Sequence, residues 1–216
     1  MGELTEPMRV AINTMRARLT ILGFNLVITT FQISNTRGLG GGIQYDGFQT
    51  TVHLAAGAVL VTGVALSIAS VVAFIASSTL DRDGTCDHRA LLAGDLLMYL
   101  ALAQTLSGFF SPYVRVLEYA SMPSQIEQDA LIVIRTGIAL AGSTAWVLAA
   151  YIGPIVSLLR SSHSRVTKLV HVAAYAAVLI GISRLWWAAL AIESQGVIEG
   201  GFMPRWFNAF LAPLYW

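Results

Sequence analysis

The stretch Leu169–Ile192, LVHVAAYAAVLIGISRLWWAALAI, decides the fold. A run of about 20 apolar residues crosses the hydrocarbon core of a bilayer as a helix, because such a segment must satisfy its own backbone polar groups. The run also holds His171 near one end and Arg184 well inside the other half. A charge at that depth is costly and by default has a partner or a function. Trp186 and Trp187 follow Arg184 and suit a membrane interface, which would let the arginine snorkel outward.

Composition extends this reading to the whole chain. Of 216 residues, 56% are hydrophobic and 12% charged, against about 25% charged in a soluble domain. Mean hydropathy is +0.67. The expectation is an all-α integral membrane protein, a bundle of about five transmembrane helices with amphipathic interfacial segments at both ends. A net charge of +1 leaves no basic footprint for nucleic acid. The single cysteine, Cys86, precludes an intrachain disulfide framework.

Residues 1–18, MGELTEPMRVAINTMRAR, carry a weak apolar face and read as a cytoplasmic or surface-lying amphipathic segment. Residues 19–193 read as the five-span domain. Span one, about Leu19–Ser34, is short, but the residues after it make a poor signal-peptide cleavage site, so it reads as retained. Asn25, Thr29 and Gln32 share one of its faces, which should meet other helices or a wet path. The glycine cluster at Gly38, Gly40, Gly41 and Gly42 lacks a P-loop lysine and reads as a connector. Span two, about Thr51–Ser77, contains Gly63-x-x-x-Ser67, a small-residue pattern that lets helices approach closely.

The next loop places Asp81, Asp83, Cys86, Asp87 and His88 close together. Asp83, Cys86 and His88 are candidate metal ligands, although the later ligands of a calcium loop are missing. The plainer expectation is a solvated turn with Asp87 capping the next helix. Span three, about Ala90–Phe110, holds Asp95. His88, Asp95 and Tyr99 fall on one stripe, as a proton relay or ion path requires; the alternative is that Asp95 is neutral or pairs with an arginine of another helix for structural reasons. Residues 111–129 read as a loop punctuated by Pro112 and Pro123. Span four, about Ala130–Leu159, has Arg135 near its start and Pro154 kinking or ending it. Residues 194–216 form an aromatic tail suited to the membrane interface or a partner subunit.

With five spans, one face collects Arg9, Arg16, Arg18, Arg82, Arg89, Arg160, Arg165 and Lys168, and the other only Arg37, Arg115 and Arg205. The positive-inside rule puts the N-terminus in the cytoplasm and the C-terminus on the opposite side of a plasma or inner membrane.

Three functions fit these residues. The first is an oligomeric channel or transporter subunit whose path uses Asp95, His88, Tyr99, Arg135, Arg184 and His171. The second is an accessory subunit of a larger membrane complex. The third is a haem b electron-transfer subunit with His88 and His171 as axial ligands at matching depth. The sequence names no cofactor. No G-x-S-x-G, H-E-x-x-H or tandem histidine box occurs, so nothing points to an enzyme.

Overall fold

A computed structural model describes residues 6–36, 52–80, 88–119 and 125–193. These residues form α1 (Glu6–Asn35), α2 (Leu54–Leu80), α3 (Arg89–Tyr119), α4 (Gln125–Val147), a π-helical turn (Leu148–Ile152), α5 (Gly153–Arg160) and α6 (Arg165–Glu193). No strand occurs among the described residues. Helices α1, α2, α3 and α6 are each long and apolar enough to cross a membrane, as is the joined α4–α5 segment, which makes five candidate spans.

Side-chain burial follows membrane logic rather than aqueous logic. On α1 the inward face carries Asn25 at 2% exposure, while Phe24 on the outward face is 66% exposed. Polar residues inside and large apolar residues outside is the arrangement that lipid favours.

The bundle alternates direction. Along α1 and α3, Arg18 meets Asp95 and Thr29 meets Thr105, so these two helices run parallel. Along α2 and α3, Phe74 lies against Gly94 and Gly63 against Thr105, so this pair is antiparallel. Helix α3 touches every other element, and 56% of its most apolar window is buried. The corresponding share for α6 is 11%, so α3 is the hub and α6 is peripheral.

Close packing onto α3 depends on small residues. Phe74 stacks where Gly94 has no side chain, and a Cβ there would lie 2.6 Å from the ring. Gly63 and Ser67 are buried, as the small-residue pattern of span two requires. Gly63 faces Thr105 and Ala101 of α3, and Ser67 binds Asn25 of α1.

Two sequence boundaries change. The surface segment before span one is continuous with it, because α1 runs unbroken from Glu6 to Asn35. Pro112 does not end span three, and α3 continues through it to Tyr119. Proline removes one N–H and crowds the carbonyl four residues back. Here that carbonyl belongs to Gly108, Pro112 is buried in the bundle, and tertiary packing outweighs the local penalty. The glycine cluster, the aromatic tail and the loop residues Asp81, Asp83, Cys86 and Asp87 lie outside the described residues.

Pro154 distorts span four rather than ending it. The helix widens into a π turn over Leu148–Ile152, where the Gly153 N–H donates to the Leu148 carbonyl, and then continues as α5. In a regular helix the Ala150 carbonyl would accept from residue 154, which as proline has no N–H. The Tyr175 hydroxyl of α6 donates to that carbonyl instead, at 2.6 Å. Gly153 at the end of the π turn receives the Tyr99 ring of α3 so closely that no Cβ would fit.

Candidate functional site

Asp95 enters the bundle on α3 and meets Arg18 of α1. The Arg18 Nη2 donates to Asp95 Oδ2 at 2.7 Å, and Nε lies 2.6 Å from Oδ1. The second approach is an ion-pair contact outside hydrogen-bond geometry, so Oδ1 keeps an unfilled acceptor position. The Asp95 side chain is 8% exposed and that of Arg18 is 20% exposed. Arg18 also lies over the fully buried Phe74 ring, 5.8 Å from its centroid, so the guanidinium is held between a carboxylate and a π face. The contact realises the expected pairing of Asp95 with an arginine of another helix.

Arg18 was legible in part. Arg18, Asn25 and Gln32 are spaced by seven residues, so the polar stripe read on span one continues back to this arginine. Asn25 Nδ2 donates to Ser67 Oγ at 3.0 Å. The Thr29 and Thr105 hydroxyls are 2.8 Å apart, and each also reaches a backbone carbonyl one turn back on its own helix. Gln32 and Thr36 continue the stripe and are buried. Ser70 of α2 donates to the Gly94 carbonyl beside Asp95, and Gln104 of α3 is buried next to Gly63. Asn25 Oδ1 and Gln32 Nε2 have no hydrogen-bond partner among the described residues. From Arg18 to Thr36 the seam rises about 27 Å at 1.5 Å per residue, close to the roughly 30 Å of a hydrocarbon core.

At the Arg18 end, a cavity of about 500 Å³ lies between α1, the start of α3 and the end of α5. Arg18 and Asp95 line it, together with His88 and Tyr99. Arg160 and His163 line it as well. His88 caps α3: its carbonyl accepts from the Leu91 N–H and its Nδ1 accepts from the Ala90 N–H at 3.2 Å. An accepting Nδ1 places the ring proton of His88 on Nε2. Tyr99 meets both Gly153 and the cavity.

The remaining candidates are dispersed. His171 is half-buried on α6, Nδ1 lies 2.8 Å from the Thr167 carbonyl, and the residue does not line the cavity that holds His88. The two histidines considered for haem therefore do not share this cavity, and His88 Nδ1 is engaged in capping. Arg135 is half-buried on α4, and Arg184 is exposed on α6. No cluster of three or more histidine, cysteine or acidic residues that could hold a metal occurs among the described residues.

The opposite end of the bundle has its own charged tie. Glu193 at the end of α6 accepts from the Ala55 N–H at the start of α2 at 2.9 Å, and its other oxygen pairs with Arg115 of α3 at 2.9 Å. Arg115 falls in the segment 111–129 that reads as a loop, and Glu193 lies one residue beyond the opening stretch. Span boundaries concealed both.

No family model, curated protein or solved structure matches this chain.

Proposed function

We propose that the protein is a transport subunit of a membrane, moving a proton or small hydrophilic species along the seam between α1, α2 and α3. The observation that carries this reading is the buried polar stripe of α1, with apolar residues turned outward and Asn25 and Gln32 each leaving a polar atom unpaired. A buried polar atom without a partner costs about 1–3 kcal/mol, a cost that a purely structural helix contact avoids with apolar side chains. The Thr29–Thr105 pair adds a second argument. Each hydroxyl has one proton and two acceptors within reach, so the pair has alternative donor arrangements. Such a pair can pass a proton by reorienting.

In this reading Asp95 is the proton-accepting group at the cavity end. Arg18 holds it in place and releases it on protonation. The excess of arginine and lysine at that end orients it to the cytoplasm. The outward faces of α1 and α6 meet lipid or further copies of the chain in an oligomer.

The test is an imposed pH gradient across liposomes containing the full chain and an entrapped pH-sensitive dye. Wild-type protein dissipates the gradient faster than empty liposomes. Asp95→Asn and Asn25→Leu each slow it by about tenfold or more, the scale of one lost proton-transfer group. Equal rates for wild type and both variants overturn the reading.

A second reading, an accessory subunit of a larger assembly, draws on Arg184. This guanidinium has no hydrogen-bond or ion-pair partner among the described residues, on a helix face turned away from the bundle. A carboxylate on another subunit would satisfy it. Co-purification of a second polypeptide in fixed stoichiometry, lost in Arg184→Leu, distinguishes this case.

A further inference from the structure

The cavity at the Arg18 end is basic, and its charges are unevenly used. Two guanidiniums and two imidazoles face one carboxylate, and that carboxylate is already engaged by Arg18. In the same cavity, the side chains of Arg160 and His163 have no hydrogen-bond or ion-pair partner among the described residues. Arg160 ends α5, and His163 lies in the turn to α6, where its own N–H donates to Ser161 Oγ. His88 lines the same space with Nε2 as its protonated nitrogen. These groups come from three separate parts of the chain, so the fold itself gathers the donors.

We propose that this cavity binds a small oxyanion, a phosphate or carboxylate group, between Arg160, His163 and Arg18. Guanidinium groups match the oxygens of such an anion in planar, paired hydrogen bonds. The volume of about 500 Å³ holds an anion with an organic substituent as readily as inorganic phosphate. Asp95 competes with the anion for Arg18. In the empty site the carboxylate occupies the guanidinium; with Asp95 neutralised, Arg18 turns its donors to the ligand. The inference rests on the transport reading only for its consequence, that the anion enters with a proton on Asp95. Binding itself does not require transport.

Inorganic phosphate is the probe for a free anion, titrated calorimetrically into full-length protein in a neutral detergent. Phosphatidic acid is the probe for a lipid headgroup, offered in nanodiscs against phosphatidylcholine alone. The expected result is saturable binding that weakens by about tenfold in Arg160→Gln and in His163→Gln, the scale of one charge-assisted contact. Asp95→Asn tightens binding by freeing Arg18. Arg165→Gln, on α6 and outside the cavity wall, leaves it unchanged. Phosphate binding with this pattern assigns a free anion, and phosphatidic acid binding with this pattern assigns a headgroup. Absence of binding by both probes overturns the site, as does equal binding by all variants. A loss in Asp95→Asn matching that in Arg160→Gln overturns the competition. Size-exclusion profiles matching wild type establish that each variant is folded. Anion binding without gradient dissipation retains the site and rejects transport, while dissipation without anion binding does the reverse.

Discussion

The Tyr175 hydroxyl replaces a hydrogen bond that Pro154 removed, and Tyr175→Phe deletes that replacement while keeping the ring. Ala150 is fully buried, so its carbonyl has no access to solvent. The hydroxyl reaches it at 2.6 Å. Stranding a buried acceptor costs about 1–3 kcal/mol in soluble proteins. Side-chain hydrogen bonds in a membrane protein average about 0.6 and reach about 1.7 kcal/mol. The upper part of that range applies here, because the usual donor at position 154 is absent. The expected loss is therefore about 1.5 kcal/mol, read as a shift in reversible unfolding by SDS in mixed micelles. Pro154→Ala supplies an N–H that can return to the Ala150 carbonyl. In that background Tyr175→Phe should cost about 0.5 kcal/mol or less, leaving a coupling of roughly 1 kcal/mol between two residues on different helices. Equal costs in both backgrounds would refute the compensation argument, and so would a negligible cost in the wild-type background.

Other perturbations separate packing from charge. Gly153→Ala drives a methyl group into the Tyr99 ring. Overpacking of this kind costs about 1–3 kcal/mol, and Tyr99→Leu in the same chain should recover most of it in the SDS titration. Glu193→Gln retains an acceptor for the Ala55 N–H but removes the ion pair to Arg115, whose side chain is 33% exposed. With that much solvent the pair contributes about 0.5–1 kcal/mol, whereas Glu193→Ala loses both contacts and should cost clearly more in the same titration. Arg184→Leu should leave the unfolding of the isolated chain within about 0.5 kcal/mol of wild type, as for a surface substitution; a larger loss would mean that the guanidinium is bonded within the subunit.

Local composition made the helices legible, but long-range partners were much less so. Asp95 stood out because a carboxylate in an apolar run is conspicuous, and the Asn25–Thr29–Gln32 stripe stood out because helical periodicity aligns it. Both are buried where a reader of period 3.6 would put them. The partner of Asp95 was harder to choose. Arg16 and Arg18 both flank span one, and only the rotation of α1 against α3 selects Arg18. Pro112 misled for a related reason: its local penalty argues for a helix end, and only the surrounding bundle shows that the penalty is met. Pro154 was correctly marked as a distortion, but its remedy lies 25 positions from the affected carbonyl, on another helix. His88, Asp95 and Tyr99 do converge on one cavity, yet Arg160 at the end of α5 and His163 in the turn after it also line that cavity, and periodicity does not bring them there.

The polar stripe of α1 also bears on biogenesis. Its span has a mean hydropathy of 1.2, against 2.5 for α2. Arg18 lies near the start of this span, where a charge costs less than at the centre, but Asn25 and Gln32 lie within it. Everything that compensates them is made later. Asp95 follows Arg18 by 77 residues, which at about 5–20 residues per second is an interval of roughly 4–15 s. During that interval α1 has no complete polar partner face, whereas α2 is apolar enough to partition into lipid unaided. The α2–α3 hairpin therefore forms the receptor, and α1, although made before both, is the last of the three to dock.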